Sequence, residues 1–91
     1  MIGPTTRVRL AAKARLQDDR LSGKSFLLYP ERGLELSDSA ARIVALCGRE
    51  RTVASIVDEL TGASGEPRER IESEVISFLG ALADRGLLVV T

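Results

Sequence analysis

The chain has 91 residues with 13 Lys/Arg balanced by 13 Asp/Glu, and its 44% hydrophobic and 29% charged content is that of one small folded domain, not of a disordered chain. It has no histidine, which removes the usual general base near neutral pH and the commonest zinc ligand. Its single cysteine, Cys47, excludes an intramolecular disulfide and a Cys-rich metal site.

Residues 1–12 show no clean period, and Gly3, Pro4, Thr5 and Thr6 read as a flexible leader before a single domain over 13–91. From Lys13 onward Ala14, Leu16 and Asp18 alternate with Arg15 and Gln17, the period of a half-exposed strand. Residues 19–23 carry turn chemistry ending in Ser22-Gly23. Phe26-Leu27-Leu28-Tyr29 reads as a second strand, stopped by Pro30, which has no N–H to donate. Glu31-Arg32-Gly33 reads as a turn, and Leu34-Glu35-Leu36 as a third, short strand. Three strands with tight connections predict an antiparallel meander.

After Leu36 the period becomes helical. Ser37 or Asp38 suits an N-cap, and Ala40, Ile43, Val44 and Cys47 form an apolar stripe ending at Gly48. Thr52 caps a second helix in which Val53, Ile56, Val57 and Leu60 recur at i, i+3, i+4 and i+7. Residues 62–65 read as a loop, Pro67 suits a first helical turn, and a third helix over about 66–85 stops at Gly86. Leu87-Leu88-Val89-Val90 is a final extended segment. The predicted fold is α+β and winged-helix-like: a three-stranded antiparallel meander followed by a three-helix bundle, in the order βββααα.

Two of these elements invite a partner. In the third helix Ile71, Val75, Phe78 and Leu82 share one stripe that Leu79, Ala83 and Ile76 widen to about 160°, against roughly 100° for an ordinary surface helix. That surplus fits either a helix wedged in the core or one flank lining an apolar groove. The opposite face, with Arg70, Ser73, Ser77 and Asp84, reads as solvent-facing. The strand at 34–36 comes last in the meander and so lies at a sheet edge, where unpaired N–H and C=O groups accept an added strand.

Catalytic chemistry finds little support. Glu31, Arg32 and Glu35 read as a surface ion cluster, Cys47 as a buried thiol without a histidine base, and no phosphate-binding glycine loop occurs. No catalytic residue, metal or cofactor is expected. No apolar run reaches the roughly 18 residues of a membrane helix, and residues 1–10 lack the apolar core of a secretory signal. One cysteine suits a reducing compartment, so a cytoplasmic protein with neither membrane nor nucleic-acid partners is expected. A DNA-reading winged helix is the competing reading, but the helix over 66–85 has five acids and three bases, which repels phosphate.

The stretch Phe26-Leu27-Leu28-Tyr29-Pro30-Glu31-Arg32-Gly33-Leu34-Glu35-Leu36 resembles the central signature of the PqqD family. The likeness continues through residues 39–47, through the Arg51-Thr52-Val53-Ala54-Ser55-Ile56 region, and through Leu82-Ala83-Asp84-Arg85-Gly86-Leu87-Leu88. One departure is that Cys47 is followed by Gly48-Arg49-Glu50, without the acidic residue usual at that turn. The resemblance implies a peptide chaperone of pyrroloquinoline quinone biosynthesis, a recognition element for ribosomally made, modified peptides. Such proteins bind the precursor peptide PqqA and present it to the radical S-adenosylmethionine enzyme PqqE; another peptide-modification pathway is the alternative. It further implies that Arg32, Gly33, Leu34, Glu35 and Leu36 pair with the peptide through their backbone. Val75, Ile76, Phe78, Leu79 and Leu82 are then candidates for the apolar wall, with the division between groove and core left open, as is the choice between monomer and homodimer.

Overall fold

A computed structural model of the chain describes residues 2–30 and 32–91. Met1 and Glu31, the latter grouped above with Arg32 and Glu35, lie outside the described residues. The elements follow as β1 (Arg7–Leu10), β2 (Arg15–Asp18), β3 (Ser25–Tyr29), β4 (Arg32–Leu36), α1 (Asp38–Leu46), β5 (Arg51–Thr52), α2 (Val53–Ser64), α3 (Arg68–Asp84) and β6 (Leu88–Val90). The fold is α+β, with the expected meander and three helices in the expected order.

The meander is the sheet β2-β3-β4. Its first turn is built by Asp19, whose main-chain N–H donates to the Lys24 carbonyl at 2.7 Å while Gly23, at φ 74°, turns the chain back. Leu16, Leu27 and Leu34 stand opposite one another across the three strands, and Leu27 is fully buried. α1 packs across all three strands and covers that row. Strand pairing extends to Tyr29 opposite Arg32, so Arg32 and Gly33, read from sequence as turn residues, belong to β4.

The second sheet, β5-β1-β6, corrects the expected leader. Residues 7–10 form a strand instead of a flexible arm, pairing with β5 on one side and β6 on the other, and Val8 is fully buried. Its alternating signal is only Val8 and Leu10, each following an arginine. Main-chain bonds hold it in place: Arg7 and Thr91 exchange bonds at 3.1 and 2.9 Å, and Leu10 N–H reaches the Cys47 carbonyl at 2.9 Å.

The helices begin where short oxygen side chains can cap them. Ser37 Oγ accepts from the Ala40 N–H at 3.1 Å, and Thr52 Oγ1 from the Ser55 N–H at 3.2 Å. α2 runs through Gly62 to Ser64, past its expected end, and stops at Gly65, whose φ of 72° is the left-handed conformation of a helix C-cap. α3 lies against α2 and β6, joining the helices to the second sheet. Among the described residues no helix is long and apolar enough to cross a membrane.

Candidate functional site

β4 has one paired edge and one open edge. Among the described residues its only strand neighbour is β3. The pairing ends at Tyr29 opposite Arg32 and alternates from there, so Arg32, Leu34 and Leu36 exchange their main-chain bonds with β3. Gly33 and Glu35 therefore direct N–H and C=O groups away from the sheet. Side chains alternate in step: Leu36 is buried and Leu34 half-buried beneath α1, whereas Glu35 points outward and forms an exposed ion pair with Lys24 at 3.7 Å. Such a pair is worth little in water and leaves the main chain free.

The wide apolar arc of α3 separates into three parts. Val75, Leu79 and Leu82 are 1%, 0% and 2% exposed and with Ile71 form the core stripe, so they are not the wall of an open groove. Ile76 and Phe78 are half-buried at the margins of that stripe. Two positions apart on a helix means about 160° apart in direction, so these two lie on opposite flanks. Phe78 faces the groove toward α1, and Ile76 does not line it.

That groove encloses about 600 Å³ between the start of α1 and one flank of α3. Ser37, Ser39, Ala40 and Ile43 supply one wall; Ser73, Glu74, Ser77, Phe78 and Ala81 supply the other. Ser73 and Ser77 read from sequence as plain solvent-facing residues, and the α1 residues as ordinary helix start and core. The signal for them is that both walls carry small side chains, which leave room. The Ser37 hydroxyl is occupied in capping α1 and lies 3.2 Å from that of Ser39. Glu74 is paired with Arg70 at 3.6 Å along the same helix. A cavity of about 80 Å³, lined in part by Ile43, Leu60, Ile71 and Val75, adjoins the groove and shares Ser39, Ile43 and Glu74 with it. Leu36 leads directly into Ser37, so the open edge of β4 runs up to the mouth of the groove.

Two groups whose pKa departs clearly from its ordinary value, Cys47 and Asp19, lie elsewhere. Burial pushes the Cys47 thiol up to about 11, with Arg51 opposing weakly, so the thiol is an inert core group. The Asp19 carboxylate is held below its ordinary value by the Leu21 N–H and the Ser22 hydroxyl in the first turn of the meander. An open main-chain edge, an aromatic-walled groove and paired surface carboxylates can bind an extended peptide.

The comparisons with known proteins point the same way. Residues 24–88 match the family model described as coenzyme PQQ synthesis protein D, PqqD. A protein of Bradyrhizobium diazoefficiens named PqqA binding protein is 34% identical over 96% of this chain and 84% of its own length. One of the same name from Rhodopseudomonas palustris strain HaA2 is 36% identical over 96% and 85%. Among solved structures, the PqqD truncation of Methylobacterium extorquens PqqCD, a stand-alone recognition element for ribosomally synthesised and modified peptides, superposes with a TM-score of 0.84 at 28% identity, covering 98% of this chain and 95% of that one. TbiB1, solved in complex with the TbiA(beta) leader peptide, shares the fold with a TM-score of 0.74 at 23% identity, covering 88% and 93%. The match over 24–88 and the relatives above 30% identity place the chain in the PqqD family.

Proposed function

We propose that this protein binds the precursor peptide PqqA as an added strand on β4 and carries it to the radical S-adenosylmethionine enzyme PqqE, acting by binding and not by catalysis. The observation that carries the reading is the outward-facing main chain of Gly33 and Glu35, on a strand that leads into the groove walled by Phe78. The relatives named PqqA binding protein supply the identity of the guest. Arg32, Gly33, Leu34, Glu35 and Leu36 form the rail, and Phe78 is the apolar contact on α3.

The energetics suit a carrier. Ordering a free peptide costs roughly 1–2 kcal/mol per residue fixed. Ladder bonds and burial of a few apolar side chains offset this, with about 300 Å² of apolar surface contributing on the order of 7 kcal/mol gross before association costs. The guest is held without being buried whole, so the segment to be modified stays accessible to the enzyme. A duplex-DNA reader would need a basic α3, whereas Arg68–Asp84 holds four acids and two bases.

The test is a titration of the isotopically labelled chain with the PqqA peptide of Bradyrhizobium diazoefficiens, followed by amide resonances. The expected result is shifts at residues 32–36 and along 73–81 of α3. Shifts confined to β1 and β6 would contradict the reading.

A further inference from the structure

Main-chain pairing is blind to sequence, so a rail by itself does not set the register of its guest. A slip of one residue turns every guest side chain to the other face. A side-chain contact beyond the rail has to choose the register, and the charge distribution places one at the tip of the β3–β4 hairpin. Residues 1–32 hold seven Lys/Arg and three Asp/Glu, whereas residues 33–91 hold six and ten. Three of the early cations, Lys13, Arg15 and Arg32, line a cleft of about 400 Å³ together with Tyr29 and Pro30.

All three cations are exposed, and none has a described carboxylate within ion-pair distance. The described pairs engage Arg7, Lys24, Arg51, Arg68 and Arg70 instead. Lys13 Nζ also lies beside Gly86, 3.6 Å from where a Cβ would stand, just past the end of α3. Arg32 is both the first residue of β4 and a wall of this cleft. A guest strand that continues the antiparallel order of the sheet runs from the Leu36 end of β4 to the Arg32 end. Its residues just C-terminal to the paired stretch therefore pass Arg32 first, and reach Arg15 and Lys13, at the β2 side of the sheet about three strand spacings away, by crossing the end of the hairpin.

We propose that the Lys13–Arg15–Arg32 cleft captures an Asp or Glu side chain of the guest peptide a few residues C-terminal to its β4-paired segment, where the guest crosses the end of the hairpin, and so fixes the direction and register of the added strand. This rests on the peptide-binding reading and deepens it. An acidic guest residue meets three cations without a described ion-pair partner at this end, whereas the α3 side of the groove presents Glu74, and Lys24 at the Leu36 end of β4 is already paired with Glu35. In the reversed direction the same carboxylate is carried toward the end of the rail where the groove presents Glu74, and in a register slipped by one residue it turns to the other face of the strand, away from its cations.

The test uses the full 91-residue chain and the Bradyrhizobium diazoefficiens PqqA peptide, fluorescently labelled and read by anisotropy. The wild type is compared with Arg15→Gln, Arg32→Gln and the double variant R15E/R32E. Each is measured against the native peptide and against peptides in which one Asp or Glu at a time is replaced by its amide. Each single variant is expected to weaken the native peptide about two- to fivefold, as for an exposed ion pair, and the double reversal more than about tenfold. One amide-replaced peptide should bind wild type more weakly and be indifferent to the Gln variants. The proposal is overturned if R15E/R32E binds native peptide within twofold of wild type, or if the variants lose equal affinity for every amide-replaced peptide. Failure of the wild type to bind the native peptide at all would overturn the peptide-binding reading, and this inference with it.

Discussion

Leu28 leans over the place where a side chain at position 33 would stand: a Cβ built on Gly33 meets Leu28 Cδ2 at 3.2 Å. The two residues face each other across the β3–β4 ladder on the side of the sheet away from α1. The contact is with the far end of a half-buried side chain, which can yield by a few tenths of an ångström. Gly33→Ala is therefore expected to change stability by less than about 1 kcal/mol, since the small clash is offset by the lower backbone entropy of alanine. Peptide affinity should stay within twofold, because the N–H and C=O at position 33 remain. Chemical denaturation and calorimetric titration with PqqA read both effects.

Proline separates the two edges of β4. Glu35 donates outward, so Glu35→Pro removes a bond offered to a guest and leaves the ladder to β3 whole; an edge position tolerates it. The variant should stay folded by circular dichroism and lose at least about tenfold in peptide affinity, while Glu35→Ala, which removes only the exposed pair with Lys24, loses less than about threefold. Leu34→Pro should instead cost folding itself, since Leu34 bonds to β3.

Phe78 and Ile76 are both half-buried on α3, on opposite flanks. Truncating either to alanine is expected to cost on the order of 1–2 kcal/mol of stability, in keeping with partial burial. Only Phe78→Ala should also weaken PqqA binding, by about tenfold after correction for the folded fraction. Equal losses of affinity in the two variants would show that the groove flank is not the contact.

Much of this architecture was legible in the chain because strong periods carry it. The alternation through Leu16, Leu27 and Leu34 and the 3.6-residue period of Val53, Ile56, Val57 and Leu60 each mark an element that structure and sequence share. β1 was not legible, because four residues with two apolar positions look like a tail until β5 and β6 pair with both of its sides. The wall of the groove was only half legible. Apolar periodicity identifies Val75, Leu79 and Leu82, but those fill the core, and periodicity has no means of marking Ser73, Ser77 and Ala81, whose contribution is to be small.

Cys47 offers a check on the core. Its thiol is fully buried and pushed up from an ordinary value of 9.0 to about 11, chiefly by desolvation. A group whose folded value is raised contributes stability that is complete below its unfolded value and lost as pH rises through the folded one. Stability should therefore begin to fall above about pH 9 and go on falling to about 11, and Cys47→Ser should lessen that fall. At pH 8 native Cys47 should react with iodoacetamide only at the rate of opening, and freely in denaturant.

Strand addition at β4 depends on Gly33 and Glu35 lending their outward main-chain groups to a guest strand. Residue-resolved amide hydrogen exchange, with and without the PqqA peptide, measures this directly. In the free chain both amides should exchange fast while those of Leu34 and Leu36 are slowed by the β3 ladder, and in the complex Gly33 and Glu35 should become protected. Tight binding that leaves both amides exchanging at their free rates would contradict strand addition at β4.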